Sequence, residues 1–224
     1  MKRSVFTIGI LVVLLGGAFW WLTNDNDRDG PGSADLLFHC AAGLRKPMSE
    51  IARQYEEEFG VKVNLQFGGS GALASQLELA GGDLYLPADQ SYIDSAREKG
   101  LMKEAIPVAL LTAGLVVPKG NPRGLMTLSD LGKEGLKISL AERSASVGRF
   151  TWKVLEEEGL LARVNPNVVV TKPTVNAIVE DVATGAVDVS LAWDAVAKNF
   201  SEVEWLAVPE FFKRAKRASI GVLT

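Results

Sequence analysis

Residues 61–94 read VKVNLQFGGSGALASQLELAGGDLYLPADQSYID, and the punctuation of that stretch decides the fold. Val61, Val63, Leu65 and Phe67 alternate with polar residues, the two-residue period of a half-buried strand. The strand stops at Gly68-Gly69-Ser70-Gly71. A helix is predicted over residues 70–80, with Leu73 and Leu77 inward and Gly81-Gly82 closing it. A second short strand over residues 83–86 leads into Ala88-Asp89-Gln90 and another helix, closed by Gly100. A strand that ends in glycines and a hydroxyl at a helix start is a ready-made anion site. First-turn N–H groups have no intrahelical partner, the helix dipole favours negative charge, and Ser70 adds a donor.

The same alternation runs outward in both directions. Upstream, a strand is predicted over residues 36–40 and a helix over 47–59. That helix carries Met48, Ile51, Ala52, Tyr55 and Phe59 on one inward stripe and ends at Gly60. Downstream, residues 107–118 form one long apolar strand, and Thr127 caps a short helix over 128–132. Further strands are predicted over 136–140, 167–171, 187–192, 204–208 and 219–223, with helices over 148–158, 174–183 and 194–199. The third of these strands and the helix before it read as a unit, with Val175, Ile178, Val179 and Val182 inward. Such alternation predicts an α/β fold with mostly parallel sheets flanked by helices. Two similar blocks predict two lobes, one of about residues 35–110 plus 205–224 and one of about 111–204. A ligand cleft is expected where carboxyl ends of strands meet helix starts.

Ahead of this body, residues 5–22 (VFTIGILVVLLGGAFWWL) carry no charge and are about the ~18 residues that span a bilayer. Lys2 and Arg3 precede them, and Trp20-Trp21 suits a membrane interface. The following TNDNDRDGPGSAD offers no small-residue cleavage site of the A-x-A kind. Residues 1–23 are therefore expected to be an anchor or signal segment and 24–34 a linker, with an exported body from residue 35. The net charge is −3 and basic residues are scattered, which points away from nucleic acid. One Cys and one His exclude an intramolecular disulfide and a Cys/His metal cluster. No cofactor is implied.

Four strand-to-helix junctions carry small residues and hydroxyls: Cys40-Ala41-Ala42-Gly43-Leu44, Gly68-Gly69-Ser70-Gly71, Ser144-Ala145-Ser146-Val147-Gly148 and Thr171-Lys172-Pro173-Thr174-Val175. Singly, each is ordinary capping and turn chemistry. Converging on one cleft, they make a neutral hydrogen-bonding cage for a small anion. Other residues read as structural. Asp89 is expected to cap the helix after it. His39 and Cys40 are strand neighbours on opposite faces, so they do not form a nucleophile pair. Ser70 fails the G-x-S-x-G elbow because Ala72 holds the last position.

Phe67-Gly68-Gly69-Ser70-Gly71-Ala72-Leu73-Ala74-Ser75-Gln76 and Gly82-Asp83-Leu84-Tyr85-Leu86-Pro87-Ala88-Asp89-Gln90 resemble the periplasmic molybdate-binding proteins of ABC transporters. The likeness continues through LVVPKGNP at 115–122, SVGRFTWKVLEEEGL at 146–160 and TVNAIVEDVATGAVDVSLAW at 174–193, so it spans residues 36–224. It implies a two-lobed periplasmic-binding-protein fold. It also implies a ligand cage built from two serine hydroxyls, backbone N–H groups of the second lobe and a tyrosine hydroxyl. By position, Ser70 supplies one serine, and Val147 and Val175 supply N–H groups. The other serine falls on Gly43 and the tyrosine on Trp193. The resemblance further implies a C-terminal helix beyond the last strand, and hence a shortened chain here.

The expected function is capture of a tetrahedral oxyanion, molybdate or tungstate, outside the inner membrane. The carrier is expected to be a monomer that delivers to a permease and its ATPase without catalysing a reaction. An anchored anion sensor and a hydrolase built on Ser70 are the other classes considered.

Overall fold

The computed structural model describes residues 35–212 and 214–224. The expected anchor and the expected linker both lie outside the described residues. Among the described residues, no helix is long and apolar enough to cross a membrane.

Two five-stranded sheets form the two lobes. The first contains β1 (Leu36–Ala41), β2 (Val63–Gly68), β3 (Leu84–Leu86), β4 (Met102–Leu111) and β10 (Lys216–Leu223), in the order β2-β1-β3-β10-β4. The second contains β5 (Ala113–Pro118), β6 (Ile138–Ala141), β7 (Val168–Lys172), β8 (Val189–Trp193) and β9 (Val203–Ala207), in the order β7-β6-β8-β5-β9. The α/β, two-lobed reading holds, but the expectation of mostly parallel sheets is corrected: each sheet is mixed, because the strands that enter from and leave to the other lobe pair antiparallel. In the first, β1 runs parallel to β2 and β3, while β10 is antiparallel to β3 and β4. In the second, β6 runs parallel to β7 and β8, while β5 is antiparallel to β8 and β9. The antiparallel half of each sheet is where the chain passes between lobes, so no helical crossover is needed there.

The helices are α1 (Arg45–Phe59), α2 (Ser70–Ala80), α3 (Gln90–Glu98), α4 (Ser146–Glu157), α5 (Leu161–Val164), α6 (Val175–Ala183), α7 (Asp194–Ala197) and α8 (Pro209–Phe212). α2 buries Leu73 and Leu77, and α6 buries Val175, Ile178, Val179 and Val182, as their spacing predicts. Asp89 caps α3 by accepting the Ser91 N–H at 2.8 Å. Gly60 ends α1 in the left-handed conformation, φ 68°.

Two further expectations are corrected. The apolar run at 107–118 is not one strand. It breaks at Thr112, whose carbonyl accepts the Asp194 N–H at 2.9 Å and whose N–H donates to Asp194 Oδ1 at 3.2 Å. β4 thus stays in the first sheet and β5 enters the second. On α1, only Met48 and Ala52 of the predicted stripe are buried. Ile51, Tyr55 and Phe59 are exposed. α1 packs on β1 and β2, and the flank carrying Ile51 and Tyr55 borders a groove whose other walls include Leu84 and Ile220.

Thr127 begins the predicted short helix, a 3₁₀ turn over Leu128–Gly132, through a capping box. The Asp130 carboxylate accepts the N–H groups of Met126 and Thr127 at 2.8 and 2.9 Å and pairs with Lys133 at 2.9 Å. The Met126 bond above all, then Lys133, holds its carboxyl well below the usual carboxylate range. Its folded value therefore lies below its unfolded one. The stabilisation is fully present above the unfolded value of about 4 and fades as pH falls through the folded value. Asp130→Ala should cost about 1 kcal/mol at neutral pH. Urea unfolding of both proteins checks this, and the difference should shrink steadily in acid.

Candidate functional site

The carboxyl ends of β1, β2 and β3 in one lobe face the starts of α4 and α6 and the end of β8 in the other. One cavity lies between them. Ala41, Ala42 and Gly43 line it after β1, Gly68, Gly69 and Ser70 after β2, and Ala88 after β3. Ala145, Ser146, Val147, Val175 and Trp193 complete it from the second lobe. The five residues singled out in the sequence, Gly43, Ser70, Val147, Val175 and Trp193, are thus brought together around one space.

No lining residue carries a charge. The cavity volume is about 20 Å³. Since a water molecule needs roughly 10–15 Å³ on that measure, the closed cavity suits an ion of a few atoms. Ser70 is 2% exposed, and its hydroxyl oxygen accepts the Ala88 N–H at 3.2 Å, leaving its proton to donate. Its carbonyl accepts the hydroxyl of Tyr85 at 2.7 Å, which anchors the turn to β3. Val147 and Val175 stand in the first turns of α4 and α6, where N–H groups have no intrahelical partner. Trp193 is buried and stacks on Phe150, ring centroids 5.6 Å apart.

Position 43 has little room for a side chain. A Cβ there would lie 2.9 Å from Val196 Cγ2 and 3.0 Å from Val175 Cγ1, with Trp193 Cδ1 at 3.9 Å. Both valines are β-branched and stiff.

The lobes meet across the cavity mouth. The Ser144 carbonyl accepts the Gly71 N–H at 3.0 Å and the Tyr92 hydroxyl at 2.8 Å. Burial pushes the Tyr92 phenol up, so it stays protonated as a donor. The Arg149 guanidinium lies 4.0 Å from the centroid of the same ring. A Cβ on Gly71 would sit 2.4 Å from the Ser144 oxygen, and one on Gly69 2.6 Å from the Pro173 oxygen. Glycine is required at both positions by the approach of the opposite backbone.

Spacing alone does not single out Ser146. It lines the cavity, is 4% exposed, and its hydroxyl has no hydrogen-bond partner among the described residues. It was visible as part of the Ser144–Gly148 junction, but the resemblance directs attention to the neighbouring N–H of Val147. The His39–Cys40 pair behaves as strand neighbours do. Cys40 belongs to the large core, and His39 Nε2 lies 2.8 Å from the Gly81 carbonyl. Among the described residues, no group of three or more His, Cys, Asp or Glu could hold a metal ion.

The sequence profile of the bacterial extracellular solute-binding proteins matches residues 36–224. The chain belongs to that family. It is 27% identical over 194 residues to a putative binding protein of Haemophilus influenzae, covering 85% of this chain and 79% of that protein. It is 29% identical over 165 residues to the molybdate-binding protein ModA of Mycobacterium tuberculosis, covering 72% of this chain. The match spans 62% of that ModA. Among solved structures, the sulfate-binding protein SubI of M. tuberculosis shares the fold, with TM-score 0.72, 16% identity, and coverage of 85% and 76% of the two chains. This is a ModA-like solute-binding fold.

Two outcomes follow from the site. Gly71→Ala should hold the lobes apart, giving a larger radius of gyration by small-angle scattering; an unchanged scattering curve would show that the mouth tolerates a methyl group. The Cys40 thiol, pushed up to about 12 by burial, should resist alkylation by iodoacetamide at pH 8 in the folded protein and react promptly once urea unfolds it.

Proposed function

We propose that this chain is the extracytoplasmic solute-binding component of an ABC transporter and captures a small tetrahedral oxyanion, molybdate or tungstate. It works as a monomer outside the inner membrane and hands its ligand to a permease driven by an ATPase. The observation that carries this reading is the cavity itself. It is neutral, closed across two lobes, and bordered by three helix starts and the Ser70 hydroxyl.

A desolvated dianion needs compensation for its lost hydration, and N–H groups and hydroxyls supply it without a counter-charge. The absence of a lining carboxylate also matters. A hydrogen phosphate brings a proton that needs an acceptor, and the lining side chains offer none better than a serine oxygen. The lining therefore favours a fully ionised dianion. The small volume disfavours organic phosphates. The similarity to the molybdate-binding protein ModA favours molybdate within that class, and tungstate is proposed beside it as a tetrahedral dianion of like charge.

A hydrolase on Ser70 has no support in the geometry. Its hydroxyl is held by the Ala88 N–H, and the one histidine is engaged at Gly81. Delivery without catalysis fits the solute-binding relatives.

Titration calorimetry of the full chain with molybdate, tungstate, sulfate and phosphate tests the reading. Molybdate or tungstate should bind near the nanomolar level, a free energy of about −12 kcal/mol. Ser70→Ala should weaken that by about 1–3 kcal/mol, the cost of a lost bond to a charged group. Failure of all four anions to bind more tightly than roughly 100 μM would remove the ligand from the proposal.

A further inference from the structure

Among the described residues, most buried hydroxyls are engaged. Ser139 donates to Asp181 at 2.7 Å, Thr151 to the Gly148 carbonyl at 3.2 Å, and Ser219 to Gln90 at 2.6 Å. Ser70 accepts from Ala88. Two buried serine hydroxyls, Ser146 and Ser190, have no partner among the described residues. Ser190 lies within β8 and does not line the cavity. Ser146 does.

An unpaired buried hydroxyl is costly, and natural structures keep few without a reason. Ser146 is the first residue of α4, so its side chain sits beside the unpaired N–H groups of that helix start. It thereby joins two features that favour an anion, one in the side chain and one in the backbone. The other side of the cavity cannot supply an equivalent group at position 43, where Val175 and Val196 occupy the space of a side chain. The two hydroxyl-bearing residues of the lining are thus Ser70 from the first lobe and Ser146 from the second.

Resting on the oxyanion reading above, we propose that the Ser146 hydroxyl donates directly to the bound oxyanion and is the second lobe's side-chain determinant of affinity. The ligand supplies the partner that the protein withholds. Because Ser146 belongs to the lobe opposite Ser70, its bond is made only when the lobes are closed. Ser146 thereby ties retention of the anion to closure.

Calorimetry and thermal unfolding of the full chain, wild type against Ser146→Ala, test this with molybdate, tungstate, sulfate and phosphate as probes. The variant should bind the preferred anion at least about tenfold more weakly, the loss of one bond to a charged group. Without anion its Tm should be unchanged or higher, since no protein–protein hydrogen bond is lost. Wild-type affinity in the variant would overturn the role of Ser146 and leave the oxyanion reading standing. A lowered Tm in the absence of anion would make Ser146 a structural residue of the helix start and overturn it as well. A wild type that binds none of the four anions would instead bring down the oxyanion reading, and this inference with it.

Discussion

The carbonyl oxygen of Ser144 accepts two hydrogen bonds from the opposite lobe, from the Gly71 N–H and the Tyr92 hydroxyl, and the closed cavity depends on them. A carbonyl has two lone pairs, and here both are used across the cleft. The contact fixes how near the α2 start comes to the α4 start. That spacing sets the cavity's size, and the size sets which ligands fit. It also explains two glycines at once, because the backbones at Ser144 and Pro173 leave no room for a Cβ at positions 71 and 69. The Gly-Gly-Ser-Gly turn is thus shaped as much by closure as by the anion.

Neutrality is the second constraint. A lysine or arginine in the lining would attract any anion, hydrated or protonated, and would itself need a partner when the site is empty and closed. Dipolar donors avoid that. Their partial charges are fixed by the helix starts and act at short range, so they reward an anion small enough to touch several of them together. Arg149, the cation held over Tyr92, is engaged at the mouth and is not part of the lining. Charge therefore meets the solvent side, and the interior offers hydrogen bonds alone.

Much of this was legible in the sequence because strand–glycine–helix punctuation is local. The strand through Phe67, which begins at Val63 rather than Val61, the inward faces of α2 and α6, the Asp89 cap and the Thr127 cap each depend on residues a few positions apart, and each is found in the structure. What was not legible depends on distant partners. The break at Thr112 is set by Asp194, and nothing in an unbroken apolar run reveals it. The exposed flank of α1 is not legible either, because helical spacing says which residues share a face, not whether a sheet lies under all of it. Ile51 and Tyr55 fit the stripe yet border a groove that α1 does not fill. The convergence of Gly43, Ser70, Val147, Val175 and Trp193 came from the resemblance, and no spacing rule would have assembled them. Ser146 escaped for the opposite reason. Its role rests on an unmade bond, which only the three-dimensional accounting of donors and acceptors exposes.

The wall around position 43 shows how one site can keep its architecture while changing its chemistry. Gly43, Val175, Val196 and Trp193 come from four separate elements and meet at a single point. With valine methyl groups filling the space where a side chain on residue 43 would project, the first lobe can offer only backbone there. A hydroxyl at that point would have to displace two stiff, buried side chains, one of them Val175, which itself lines the cavity. Gly43 cannot therefore be judged as the loss of one donor. It belongs with an apolar wall stacked against Phe150 through Trp193. Such a wall excludes water from one side of the cavity and strengthens every hydrogen bond made on the other. The donors then concentrate on the Ser70 turn and the α4 and α6 starts, and Ser70 and Ser146 become the two side chains through which this protein can answer an anion.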